Sequence, residues 1–167
     1  MLARSVLVAI AVLGLTACPE KESKPVGVTP IKELTAAGKA PIQFVSAMRR
    51  MVDVPGAGPV FDATFKNISD QPVSAFMAKI VLLDEAGKPC ATPESEGGYS
   101  DISPIKAGET VKLSLMVPDP ATVSIKVVMK DLLYEVPNPL GKDMGTLSMK
   151  WKNANFEAEL AKAKVSP

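Results

Sequence analysis

From Ile42 to Trp151 apolar residues recur at alternate positions, in short runs broken by turn-forming residues. Val60 to Lys66 sets the pattern, with Phe61, Ala63 and Phe65 on one side and Asp62, Thr64 and Lys66 on the other. A strand with one buried face has this period of two. Val73 to Asp84 repeats it through Phe76, Ala78, Ile80 and Leu82; its other side is fairly apolar apart from Lys79, which predicts a central strand. Further strands are predicted over Ile42 to Met48, Val111 to Val117, Val123 to Lys130 and Leu147 to Trp151. Turn chemistry separates them at Arg49–Gly58, Asn67–Pro72, Asp84–Lys88, Pro104–Glu109, Pro118–Pro120 and Pro137–Gly145. Pro89 to Ser103, with scattered Pro, Gly, Ser and Glu, predicts mostly loop or a ragged edge strand. Near the start, Thr29-Pro30-Ile31 predicts a short helix ended by Gly38, or an ordered loop. The Glu-Ala-Glu-Leu-Ala-Lys run after Asn153 and Asn155 predicts a short terminal helix. Six or so short strands between turns predict an all-β fold, an immunoglobulin-like antiparallel β-sandwich with a short C-terminal helix.

Before this pattern begins, Arg4 precedes an apolar run from Val6 to Leu13, and Leu15-Thr16-Ala17-Cys18 follows. The run is too short for a bilayer-spanning helix, which needs roughly 20 apolar residues. Charged start, apolar middle and small-residue exit resemble a bacterial lipoprotein signal peptide with its lipobox. The resemblance implies cleavage before Cys18, which then carries a diacylglyceryl thioether and usually an amide-linked acyl chain. Two or more chains anchor stably where one does not. Pro19 stands where aspartate would be the familiar inner-membrane retention signal, so the expected address is the outer membrane, facing the periplasm. The expected organisation is a signal peptide over 1–17, a tether with a possible short helix over 18–39, the sandwich over 40–152, and a C-terminal helix and tail over 153–167.

Removal of residues 1–17 leaves 150 residues, enough for one domain with a core. The chain has 19 Lys and Arg against 18 Asp and Glu, which leaves no electrostatic footprint for nucleic acid. It has no histidine, the commonest general base and a common zinc or copper ligand. Catalysis by carboxylates or by Ser and Lys stays open, but no nucleophile–base pairing is visible, and the expectation is a protein that is not an enzyme. With Cys18 lipidated, Cys90 has no intrachain partner; it is a buried small residue or a thiol for intermolecular pairing.

The stretch from Phe61 to Val73, running into Asn67-Ile68-Ser69-Asp70-Gln71-Pro72-Val73, is similar to small bacterial immunoglobulin-like domains. Val81–Lys88 and Ile105–Thr110 match the same layout, and FxLYD-type domains of envelope proteins are the nearest set. The resemblance spans roughly residues 59–130. It implies a fold, and no catalytic residue carries over from it.

Three groups of residues carry candidate chemistry. Met48, Met51, Met77, Met116, Met129, Met144 and Met149 could offer thioethers to Cu(I), although strand positions are ordinarily core or sheet cover. The aspartates, Asp53, Asp62, Asp84 and Asp101 among them, match no calcium loop; Asp70 and Asp84 read as turn residues bonding their own backbone. Ser95 to Asp101 reads as a flexible loop in which Tyr99 is the candidate partner-binding residue. Arg49-Arg50 reads as a solvated pair, and Trp151 as a residue closing the core. The expectation is a lipid-anchored, non-enzymatic binding or scaffolding module with an envelope protein as partner and no cofactor. The alternative is a lipoprotein handling a metal or small ligand through its methionines.

Overall fold

The computed structural model describes residues 27–52, 57–141 and 144–165, apart from the side chain of Ile102. The expected signal peptide over 1–17, Cys18 and the expected tether up to Val26 lie outside the described residues, as does Asp53. Seven strands form two sheets: β1 (Ile42–Arg50), β2 (Val60–Asn67), β3 (Val73–Leu83), β4 (Pro89–Ile105), β5 (Thr110–Met116), β6 (Ser124–Pro137) and β7 (Thr146–Lys152). One sheet runs β1-β2-β5 and the other β4-β3-β6-β7, with every pairing antiparallel. Three strands facing four in this order is the immunoglobulin-like sandwich. Helix α1 (Ile31–Ala36) precedes the strands and α2 (Phe156–Lys164) follows them.

The alternating apolar residues make the core. Phe61, Ala63 and Phe65 of β2 face Phe76, Ala78, Ile80 and Leu82 of β3, all buried. A line of rings crosses between the sheets: Phe44 to Phe65 at 5.7 Å, Phe65 to Phe76 at 5.0 Å, and Phe76 to Tyr99 at 6.0 Å. These spacings lie within the favourable range for aromatic pairs. Trp151 is buried in the same cluster, as its alternation on the last strand predicted. The outer side of β3, which the sequence showed to be apolar, has its own cover. Leu160 of α2, with Phe156 and Ala163 beside it, packs on Val81, Leu83 and Val128.

Two strands depart from expectation. β6 continues to Pro137 because its pairing with β3 shifts register between Met77 and Ala78, opposite Met129 and Asp131. That bulge moves the inward series from Met129 to Leu132, both buried, so simple alternation stops at Lys130 while the strand does not. Pro89 to Ile105 is one continuous edge strand, the second of the two readings the sequence allowed, and not mostly loop. Gly98 sits opposite Met77, and a Cβ there would lie 2.4 Å from the Phe76 carbonyl oxygen. Glycine serves here as the only residue that lets the two backbones approach, not as a hinge.

Candidate binding surface

The turn after β2 ties the N-terminal segment to the sandwich. Asn67 is fully buried, and its carboxamide satisfies four partners. Nδ2 donates to the carbonyls of Gln71 at 2.8 Å and Ile105 at 2.9 Å, while Oδ1 accepts from Ser69 N–H at 2.9 Å and Ser69 Oγ at 2.7 Å. The turn so held pairs with the incoming chain: Thr29 N–H donates to Ile68 C=O and Asp70 N–H to Thr29 C=O. Asp70 Oδ1 then accepts from Ile31 N–H at 3.0 Å, capping α1 from a distance of 39 residues. Pro30, not Thr29, holds the N-cap position, and it makes no side-chain bond. Asp70 therefore does not spend its carboxylate on its own turn. Asp84 does, accepting from Ala86 and Lys88 N–H at 2.9 Å each. Gly38 ends α1 as read from the sequence: its φ is +64°, and Lys39 N–H reaches back to Leu34 C=O.

Beside this clamp lies a hollow of about 260 Å³. Ile31 and the Tyr134, Val136 and Met149 side chains give it an apolar lining, and Lys32, Asp70 and Gln71 add polar groups. It exists because β7 lies outermost in the four-stranded sheet, while the facing sheet has only three strands. Trp151 is covered, but further along the same face Met149 and Leu147 are 45% and 42% exposed.

The backbone of β7 is open on its outer edge. Asn138 N–H donates to Gly145 C=O and Asn153 N–H to Lys130 C=O, which sets the phase of the β6–β7 ladder. Leu147, Met149 and Trp151 thus bond back to β6, and Thr146, Ser148 and Lys150 direct their backbone groups away from it. A second hollow, about 520 Å³, opens at the start of α2 between Lys130, Asp131, Lys152 and Phe156. Its neighbours are already paired: Asn153 Nδ2 donates to Met129 C=O and to Glu159, and Asp131 meets Lys150 at 2.9 Å.

Tyr99 lies in β4, not in a loop. Its ring stacks on Phe76 with an interplanar angle of 18°, and its hydroxyl donates to Ser103 C=O at 2.6 Å. Burial, with the negative charges of Asp101 and Glu109 nearby, raises its pKa above the usual tyrosine value. Ring and hydroxyl are both engaged within the chain.

The other sequence candidates are dispersed. Cys90 is buried, with Sγ 3.7 Å from Thr122 Oγ1. Met129 is in the core, whereas Met48, Met51, Met77, Met116, Met144 and Met149 are exposed and spread over both sheets and the loops. Arg49 and Arg50 are both exposed, as read from the sequence, and each also has a partner. Arg49 donates to Thr122 C=O at 2.9 Å, and Arg50 lies 3.3 Å from Asp62. Arg50 and Ser114 together hold the Asp62 carboxyl below its ordinary pKa. Among the described residues no three His, Cys, Asp or Glu side chains come together as a metal site.

No family model matches the chain. No curated protein matches it either. Among solved structures, the chain is similar to a hypothetical protein from Peptoclostridium difficile 630, with a TM-score of 0.55 and 11% identity over 77% of this chain and 95% of that one. At that identity the likeness concerns the fold alone.

Proposed function

We propose that the protein is a lipid-anchored, non-enzymatic binding module of the cell envelope, tethered through Cys18 and facing the periplasm. Its binding surface is the hollow between α1, the Asn67–Pro72 turn and the β6–β7 end. The observation that carries this reading is the position of the hollow: its walls include Pro30, Ile31 and Lys32, at the start of α1 near the N-terminal end of the described residues. The ten residues from Cys18 to Gly27 would span at most about 35 Å if fully extended, which keeps the hollow close to the leaflet.

The occupant is an apolar side chain of a partner protein. Small-molecule pockets run from roughly 300 to 1,000 Å³, so about 260 Å³ suits one anchoring side chain better than a whole metabolite. Met149 supplies an adaptable wall, and Lys32 and Asp70 offer polar contacts around the buried anchor. Tyr99, the residue first favoured for this role, is the weaker choice because its ring and hydroxyl are already used.

Two substitutions test the two halves separately. Cys18→Ser is expected to abolish metabolic labelling with a fatty acid and to release the protein from membranes; retained label would refute the anchor. Val136→Arg, which fills the hollow with a charge, is expected to eliminate the partner crosslinked in cells from Lys32. An undiminished adduct would refute the hollow.

A further inference from the structure

Among the described residues the sandwich has four free edges; β1 exposes Val45 and Met48 and β5 exposes Met116, but β7 has the longest unbroken run of exposed residues, Leu147 and Met149 among them. β4 is interrupted by Pro89, Pro93 and Pro104. β1 carries an irregularity between Phe44 and Ser46. On β5, Val111 and Leu113 are half-buried against the core. β7 has no proline, and five successive residues from Thr146 to Lys150 are exposed.

We propose that β7 pairs antiparallel with β7 of a second copy of this chain, with Ser148 on the two-fold axis. The sequence is self-complementary in that register. Ser148 faces its own copy, and Leu147 lies opposite Met149 of the second copy, covering the exposed apolar pair on the inner face. On the outer face Lys150 lies opposite Thr146 of the second copy. Thr146 Oγ1 donates to Glu135 at 3.3 Å, so each Lys150, already paired with Asp131 of its own chain at 2.9 Å, meets a second carboxylate across the joint. A register shifted to centre on Lys150 would set like charges directly opposite each other, which is unfavourable. The edge phase agrees as well: Thr146, Ser148 and Lys150 are the residues whose backbone groups point outward, and this register pairs them with one another.

The joint fuses two four-stranded sheets into one. Its two-fold axis is normal to the sheet, so both inner faces look the same way and both N-terminal segments leave on the same side. Each α1 runs from Ile31 beside Met149 toward Gly38 beside Asn155, so the two helices diverge from the axis. Leu147 of the second copy then extends the wall of the hollow next to Met149, and each site is completed by its partner.

Crosslinking in intact cells tests the joint on the full chain. Ser148→Cys is treated with a short thiol crosslinker and compared with the parent chain and with Thr92→Cys on β4. The expected result is a covalent dimer enriched at least about tenfold over both. Yield equal to either control would overturn the proposal. A second variant, Ser148→Pro, removes only an N–H that points away from β6, so the sandwich keeps its ladder. In sedimentation of the detergent-extracted full chain, it is expected to raise the dimer dissociation constant at least about tenfold with an unchanged circular dichroism spectrum. A chain that is monomeric before substitution, or a dimer that survives the proline, would also overturn it.

Discussion

The two edges of the four-stranded sheet, β4 and β7, solve opposite problems. β4 is long and closed by its own chemistry. Prolines interrupt its donor series, Lys79 lies 3.0 Å from Glu96 and 3.9 Å from Glu94, and Lys164 of α2 also pairs with Glu94. Tyr99 turns its ring onto Phe76 and its hydroxyl onto the backbone of its own strand. β7 is short, lacks proline, and leaves Leu147 and Met149 exposed. Natural sheets protect edges with charges, prolines and bulges. An edge kept clear of most of these devices, beside an apolar hollow, is a surface the fold can spare for contact.

The contrast can be broken most severely from the core. Phe76 is 2% exposed, packs tilted against Phe65 and stacks on Tyr99. Phe76→Ala is expected to cost about 3–5 kcal/mol in urea unfolding, and to raise hydrogen exchange in β4 more than in β7. A smaller effect separates the edges directly. Gly98→Val on β4 sets a Cβ against the Phe76 carbonyl and is expected to cost about 1–3 kcal/mol. Ser148→Val on β7, by thermal unfolding of the same chain, is expected to stay within about 0.5 kcal/mol.

Asp70→Ala sharpens the comparison from the N-terminal side. It removes the cap on α1 and is expected to cost about 1 kcal/mol. Exchange should rise at Ile31 and the hollow should weaken while β4 is untouched. The smallest effect concerns pH. A hydrogen bond and charge from Lys79 lower the Glu96 pKa from its ordinary 4.5. Because the folded value is the lower one, the stability this carboxylate lends is present above pH 4.5 and fades as pH falls through the folded pKa. Lys79→Gln is expected to make the acid limb of the melting profile shallower, with no change at the β7 side.

The strands with strict alternation were legible because each has one buried face, and Phe61, Ala63 and Phe65 declare it. The turn at Asp84 was legible for a local reason, since its carboxylate bonds residues two and four ahead. β4 was not. Glycine and serine there read as flexibility, whereas Gly98 is required by a backbone that only the neighbouring strand supplies. The far half of β6 was hidden by a bulge that changes the phase of alternation. The hollow was invisible because Ile31, Asp70, Val136 and Met149 meet only in space. Asp70 shows the limit most plainly: its residue type announced a turn, and nothing local announced that its carboxylate caps a helix 39 residues earlier.

The most direct test of β7 and the hollow as the working side is site-specific photocrosslinking of the full chain in intact cells. The photoreactive residue replaces Lys32, at the hollow, or Thr92, on β4. The expected result is one discrete adduct with an envelope protein from position 32, none from position 92, and loss of the adduct with Val136→Arg. Equal labelling from both positions, or labelling from position 92 alone, would contradict it.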